Sequence, residues 1–257
     1  MTNEQKLPIS IVLLTRNEEH NIHDCLQSCA FASEVIIVDD GSSDRTVALA
    51  QEMGAKVFHR EMAGDWGKQQ TFGIEKATQP WIYLLDADER ITPALESSIR
   101  KFLATGKQFC CWVQRENHFQ NEKATHGVMR PDWVARLMPR EGASVEGRVH
   151  PKIISPFKKK KIRGRMIHYP YRSWDHYFSK LDKYSRLSAQ KYLDEGRDVS
   201  FFRDILLRPM WAFFKVYFLN LCLLDGRMGF IFSASHYFYT LSKYVRFYQL
   251  KKHQGVL

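Results

Sequence analysis

Three short apolar runs near the start of the chain each stop at carboxylates. "ISIVLL" (Ile9–Leu14) leads into Thr15-Arg16-Asn17-Glu18. "EVIIV" leads into Asp39-Asp40-Gly41-Ser42-Ser43-Asp44, and "WIYLL" into Asp86-Ala87-Asp88-Glu89. Each run is long enough for a strand buried on both faces, and none is long enough for a membrane span. Between them lie segments of another period. Ile22, Cys25, Leu26 and Cys29 recur at helical spacing, "DRTVALAQEMG" reads as a short helix closed by Gly54, and "GKQQTFGIEKA" as a third. "KVFHR" supplies one further strand. Apolar strands alternating with helices predict a Rossmann-like α/β fold, its central sheet mainly parallel and flanked by helices. Such sheets bind ligands at the carboxyl ends of their strands, where these three clusters fall.

The pattern then changes. Thr92 and Pro93 predict the cap and first residue of another helix. "FCCWVQRENHF" and "WVARLMP" read as strands and "QNEKATHGVMRPD" as a loop between them. A dense basic run, "KKKKIRGR", spans Lys158–Arg165. From Ser173 onward the aromatics recur three or four apart, and two further apolar helices are expected near 201–224 and 229–250, divided by "DGRMG". Charge divides the chain similarly. Residues 1–150 hold 17 basic and 21 acidic side chains, whereas 151–257 hold 21 and 7. The latter part also carries 23 of the 34 aromatics. Two regions with different partners are therefore expected, a ligand-binding domain over 1–165 and a basic, aromatic helical region over 166–257.

The five cysteines and the polar first residues, without a secretory pattern, predict reduced thiols in the cytoplasm. Cys25 and Cys29 share a helical face without a second ligand pair and read as packing residues.

Several carboxylates along one crevice repel one another unless a cation or hydrogen-bond donors sit among them. Magnesium commonly bridges one or two carboxylates to substrate phosphates. A metal clip for a diphosphate is one reading of Asp86 and Asp88. A turn and a helix cap is the plainer reading of "DDGSSD". An aspartyl-phosphate nucleophile at Asp86 is another, though that chemistry would suit the first strand of a fold better than the fourth.

"TRNEE", "VIIVDDGSSDRT" and "WIYLLDADE", in this order, resemble the family 2 glycosyltransferases, whose fold is called GT-A. The likeness continues through "RLMPREGASVEGRVHP" and "DGRMGF". The plan is similar to that of bacterial lipopolysaccharide core β-glucosyltransferases acting on an inner-core heptose. The resemblance implies inverting transfer from a UDP-sugar, glucose being the expected sugar, to that heptose or a similar lipid-linked glycan. It implies Mg²⁺ or Mn²⁺ held by Asp88, with Asp86 toward the ribose or the metal. Thr15, Asn17, Glu18 and Asp39 would surround the uracil and ribose, with Asp40 nearby. Lys68 and Gln69 fall where the family contacts the nucleotide or phosphates, and Thr71 stands where many members have Asn. His150 would add a metal or phosphate contact, or be a structural histidine. Pro151 follows it where many relatives have Glu, so the general base must lie elsewhere. Glu146, between Gly142 and Gly147 and four residues before His150, is the first candidate base, and Glu89 the second. Asp132 and Trp133 are expected to border the acceptor.

The basic tail suits an anionic surface. Its aromatics sit at helical core spacing and no nucleic-acid motif accompanies them, so nucleic acid is not the expected partner. "ILLRPMWAFFKVYFLNLCLL" is 20 residues long but interrupted by Arg208, Pro209, Lys215 and Asn220. It reads as an interfacial helix on the cytoplasmic face of the inner membrane. Packing within a homo-oligomer is the alternative for these helices. For the whole chain, the alternative is a non-catalytic basic module that binds membrane or nucleic acid. The acidic strand ends argue against that module, because they hinder polyanion binding.

Overall fold

The computed structural model of the chain describes residues 5–119, 122–124, 126–127, 132–148 and 151–253. It has two compact units, one of residues 1–115 and 132–168, the other of 116–131 and 169–257.

The first unit is a mixed α/β sheet with helices on both faces. Its parallel half contains β1 (Leu7–Thr15), β2 (Ala32–Asp39), β3 (Lys56–His59) and β4 (Trp81–Asp86). The helices α1 (Glu19–Gln27), α2 (Thr46–Glu52) and α3 (Trp66–Lys76) connect them. A short β5 (Glu89–Ile91) and α4 (Pro93–Leu103) follow. Thr92 caps α4 as expected, accepting the Leu95 N–H at 3.2 Å. The second half of the sheet is built from β6 (Cys110–Phe119), β8 (Trp133–Pro139) and β11 (Lys159–His168). The short strand β7 (Glu122–Lys123) pairs with the end of β6, and β9 (Ser144–Glu146) and β10 (Lys152–Ile154) form a separate hairpin. Strand order is β3-β2-β1-β4-β8-β6-β11-β5.

The central strands sort their side chains by period two. Ile9, Ile11 and Leu13 pack with Ile22, Cys25, Leu95 and Ile99 on one face, and Val12 packs with Ile36, Ile74, Leu84 and Met138 on the other. Register does the rest. Thr15 lies opposite Asp39, and Leu14 opposite Asp86, so the three polar clusters come out side by side at one edge.

The run expected to be only a basic segment, Lys158–Arg165, largely enters the sheet as β11. Its alternation is hidden because lysine stems cover aromatic rings while their charges stay wet. Lys160 lies over Phe109 (5.0 Å), and Lys161 over Trp133 (4.6 Å). Gly164 sits at φ +91° against α4, where a Cβ would come within 2.6 Å of the Leu95 Cα.

The second unit is helical. The helix α5 (Trp174–Asp194) starts on a Ser173 cap that accepts the His176 N–H at 3.1 Å. Phe201–Leu207 and Lys215–Leu219 are wound as π-helix around a short α6 (Arg208–Phe214), and α7 (Gly226–Lys252) follows. "DGRMG" is therefore the entrance of α7 and not a gap before it. Asp225 accepts the His126 backbone N–H (2.8 Å) and pairs with its Nδ1 (2.6 Å). Gly229 gives passage to the Cys222 carbonyl, which any Cβ there would strike. Among the described residues no single helix is long and apolar enough to cross a membrane. The segments Phe201–Leu219 and Cys222–Lys252 meet that test only as a pair, bent by 69°.

Candidate active site

The carboxyl ends of β1 and β4, the start of α3 and the strands β6, β8, β10 and β11 border a cleft of about 1010 Å³ in the first unit. Glu18, Asp86 and Asp88 line it, as do Trp66 and Gln70 of α3.

The first two polar clusters lock each other. The Thr15 hydroxyl donates to Asp39 (3.0 Å), and Asp39 also accepts the Ser42 N–H (2.9 Å). Asp40 accepts the Met62 N–H (2.7 Å) and pairs with Arg16 (3.0 Å). Asn17, at φ +55°, accepts the Ser43 N–H through its side chain (2.8 Å). Glu18 accepts from the Asn21 amide (2.8 Å). Thr15, Asn17, Glu18, Asp39 and Asp40 thus form one connected edge.

At the third cluster the carboxylates take different partners. Asp86 accepts from Arg115 (2.9 Å) and from Arg136 (2.5 Å). Glu89 is fully buried and meets the same two arginines, each at 2.6 Å, while accepting the Asp86 N–H at 3.0 Å. The two acids and two bases balance in charge. Burial alone would raise the Asp86 carboxyl, but Arg136 and Arg115 overcome it and hold it at about 2. For Glu89 burial prevails over the same arginines and the carboxyl is raised. Asp88 remains apart from this network. It lines the cleft, and His168 at the end of β11 places its Nε2 3.6 Å from the Asp88 Oδ2.

A divalent cation fits here only in a particular way. Among the described residues no group of three or more His, Cys, Asp or Glu could hold a metal ion by itself. Both guanidinium groups meet Asp86 through Oδ2, and Asp88 and His168 line the cleft beside it as two further donors. Two donors fit a cation that takes its remaining oxygens from a bound diphosphate. His150, the third expected ligand, lies outside the described residues.

The other expected residues are spread around this centre. Gln69 is buried, and its Nε2 donates to the Arg60 carbonyl (2.6 Å). Lys68 is exposed at the α3 start, 3.7 Å from Asp65. Thr71 both donates to the Val145 carbonyl (3.0 Å) and accepts its N–H (2.9 Å), tying α3 to β9. Glu146 is exposed on β9, and the strand paired with it, β10, contributes Lys152, Ile153 and Ile154 to the cleft wall. Asp132 lies 3.8 Å from Arg115, and Trp133 lines the cleft. Sequence reasoning missed Arg115, Arg136 and His168. Each stands alone in a strand remote from the acids it serves, and only the strand order signals its place.

Residues 10–183 match the model of the family described as Glycosyl transferase family 2. The lipopolysaccharide core biosynthesis glycosyltransferase LpsC of Rhizobium meliloti (strain 1021) is 29% identical, over 98% of this chain and 97% of its own length. An uncharacterized glycosyltransferase of Rickettsia felis is 26% identical over 95% of this chain and 89% of its own. Among solved structures, S. aureus TarS aligns with 81% of this chain and 44% of its own, at a TM-score of 0.44 and 15% identity. The glucosyl-3-phosphoglycerate synthase of Mycobacterium tuberculosis, solved with Mn²⁺, UDP and glucosyl-3-phosphoglycerate, aligns over 45% of each chain, at a TM-score of 0.36 and 22% identity.

Proposed function

Because this chain belongs to glycosyl transferase family 2, we propose that it is an inverting, metal-dependent transferase moving glucose from UDP-glucose to an inner-core heptose of lipopolysaccharide. The observation that carries the reading is Asp88. It is the one carboxylate of the Asp86–Glu89 cluster left outside the arginine network, and it stands beside His168 on a cleft large enough for a nucleotide-sugar. The similarity to LpsC over nearly the whole chain supports the class of acceptor.

This reading assigns a role to each of these residues. Thr15, Asn17, Glu18, Asp39 and Asp40 form the nucleoside edge, with Lys68 serving the phosphates from the start of α3, while Gln69, buried and donating to the Arg60 carbonyl, supports that helix from within. Asp88 and His168 would hold the Mg²⁺ or Mn²⁺ of the donor diphosphate, and His150 would be a further contact. A bound cation supplies electrostatic stabilisation of the departing diphosphate. Arg115 and Arg136 fix Asp86 toward the ribose or metal. In the transfer, the acceptor oxygen bonds to the anomeric carbon from the face opposite the diphosphate. The bond from that carbon to the diphosphate oxygen breaks, and UDP keeps its electron pair. The hydroxyl proton passes to a carboxylate. Glu146 is assigned this base role because it is exposed and pairs across its hairpin with a strand of the cleft wall. Glu89 is assigned a positioning role, since it is buried and held by two arginines.

Membrane attachment completes the reading. Leu207, Met210 and Trp211 are each more than half exposed on the 201–219 helix, and exposed cations such as Lys215 and Arg227 accompany them. Apolar side chains mixed with Arg and Lys suit the headgroup level of a cytoplasmic leaflet. The test is release of UDP from UDP-glucose with a lipid A–core acceptor, with Mn²⁺ and with chelator. Metal-dependent release that requires the acceptor is expected. Equal consumption of UDP-glucose without acceptor or metal would overturn the assignment.

A further inference from the structure

The same cleft has a second chemistry away from its carboxylates. Trp112 on β6 and Trp133 on β8 both line it. Trp112 pairs with Ala135 and Gln114 with Trp133, so the two indoles are diagonal neighbours on one face of the sheet. The strand β11 brings a lysine to each: Lys159 Nζ is 5.3 Å from the Trp112 ring centre, and Lys161 Nζ is 4.6 Å from that of Trp133. Lys160, between them, goes to the rings of Phe102 and Phe109. Lys152, from β10, lines the cleft beside Lys159.

Two features of this wall are unaccounted for by packing. The Trp112 indole N–H is buried and has no hydrogen-bond partner. A buried donor left unpaired is disfavoured enough that native structures rarely keep one without a ligand or water to meet it. Secondly, Lys152 and Lys159 line the cleft and Lys161 lies over the ring of Trp133, yet none of the three forms an ion pair among the described residues. The donor does not serve the two lysines of β11. Lys159 is nine residues from His168 along β11, about 30 Å of extended strand. A diphosphate clipped beside Asp88 stays at the other end.

We propose that this wall is the acceptor subsite and that it selects a saccharide bearing an anionic group, a phosphate or a carboxylate. The inference rests on the transferase reading above and deepens it. The apolar face of a sugar ring stacks on the indoles. The Trp112 N–H donates to one of its hydroxyls. The lysines, already placed over the rings, meet the anion, and their contact with the rings limits the freedom they lose on binding. A neutral glycan would use the rings and leave the cations without purpose.

The test is tryptophan fluorescence of the full chain, titrated with lipid-free inner-core oligosaccharide without donor. Three forms are compared: native, phosphatase-treated and carboxyl-reduced. Saturable binding of the native form is expected, with at least tenfold weaker binding after one of the two treatments, which identifies the anion. Trp112→Phe keeps the ring and removes the donor, and should weaken binding up to about tenfold. Lys159→Ala with Lys161→Ala should erase the difference between native and treated forms, and Lys159→Arg with Lys161→Arg should restore it. Calorimetry of UDP with each variant reports separately on the donor reading and should be unchanged. Equal binding of all three forms, or no binding of any, would overturn the inference.

Discussion

Arg136 on β8 stands 2.6 Å from Glu89, the first residue of β5, with both side chains buried, and its guanidinium also reaches Asp86 at the end of β4. Removing one partner of a buried pair strands the other charge, which costs about 3–5 kcal/mol. Glu89→Ala and Arg136→Ala are each expected to lower unfolding stability by that order in urea titrations. Glu89→Met combined with Arg136→Met should recover most of the loss while activity stays low, because Asp86 and Arg115 lose their positioning partners.

Acid should unfold the first unit partly through Glu34. Burial would raise this carboxyl, but bonds from Lys56, Ser10 and Thr78 hold it at about 2. Its folded value is depressed, so its contribution is present above the unfolded pKa and fades as pH falls from about 5 toward 2. The shift corresponds to roughly 3 kcal/mol. Glu34→Gln should flatten the loss of stability over that window, measured by denaturation at stepped pH.

Glu146→Gln should reduce kcat by about 10²–10⁴-fold, the usual range for a general base. Binding of UDP should be untouched. Retention of full turnover would move the base role to another group.

Vesicle co-sedimentation checks the second unit. Leu207→Ser, Met210→Ser and Trp211→Ser together should abolish binding to anionic vesicles. Lys215→Ala and Arg227→Ala should each weaken it about fivefold at low salt, following roughly 1 kcal/mol per basic residue near the surface.

Much of this architecture is legible in the chain because burial and function use different residue types. Three apolar runs and the shorter "KVFHR" between helical segments mark the parallel half, and the acids after Leu14, Val38 and Leu85 come together because β1 pairs with both β2 and β4. The antiparallel half is harder to read. β11 is written in lysines whose stems do the packing. β5 is three residues long, too short for periodicity to register. Arg115, Arg136 and His168 join the acids only through strand order, across separations that no local pattern encodes. Tertiary placement also separates Asp86 from Asp88. Both line the cleft, but one is neutralised by two arginines and the other stands beside His168, although both look alike in "DAD".

The most direct measurement is calorimetry of UDP against the wild-type chain and Asp88→Ala, each with and without Mn²⁺. The wild type should bind UDP tightly only with the metal and take up Mn²⁺ weakly without UDP, since the described residues offer no group of three or more His, Cys, Asp or Glu that could hold it alone. Asp88→Ala should lose the metal-dependent part of UDP affinity. Identical metal-enhanced binding by both proteins would contradict the account.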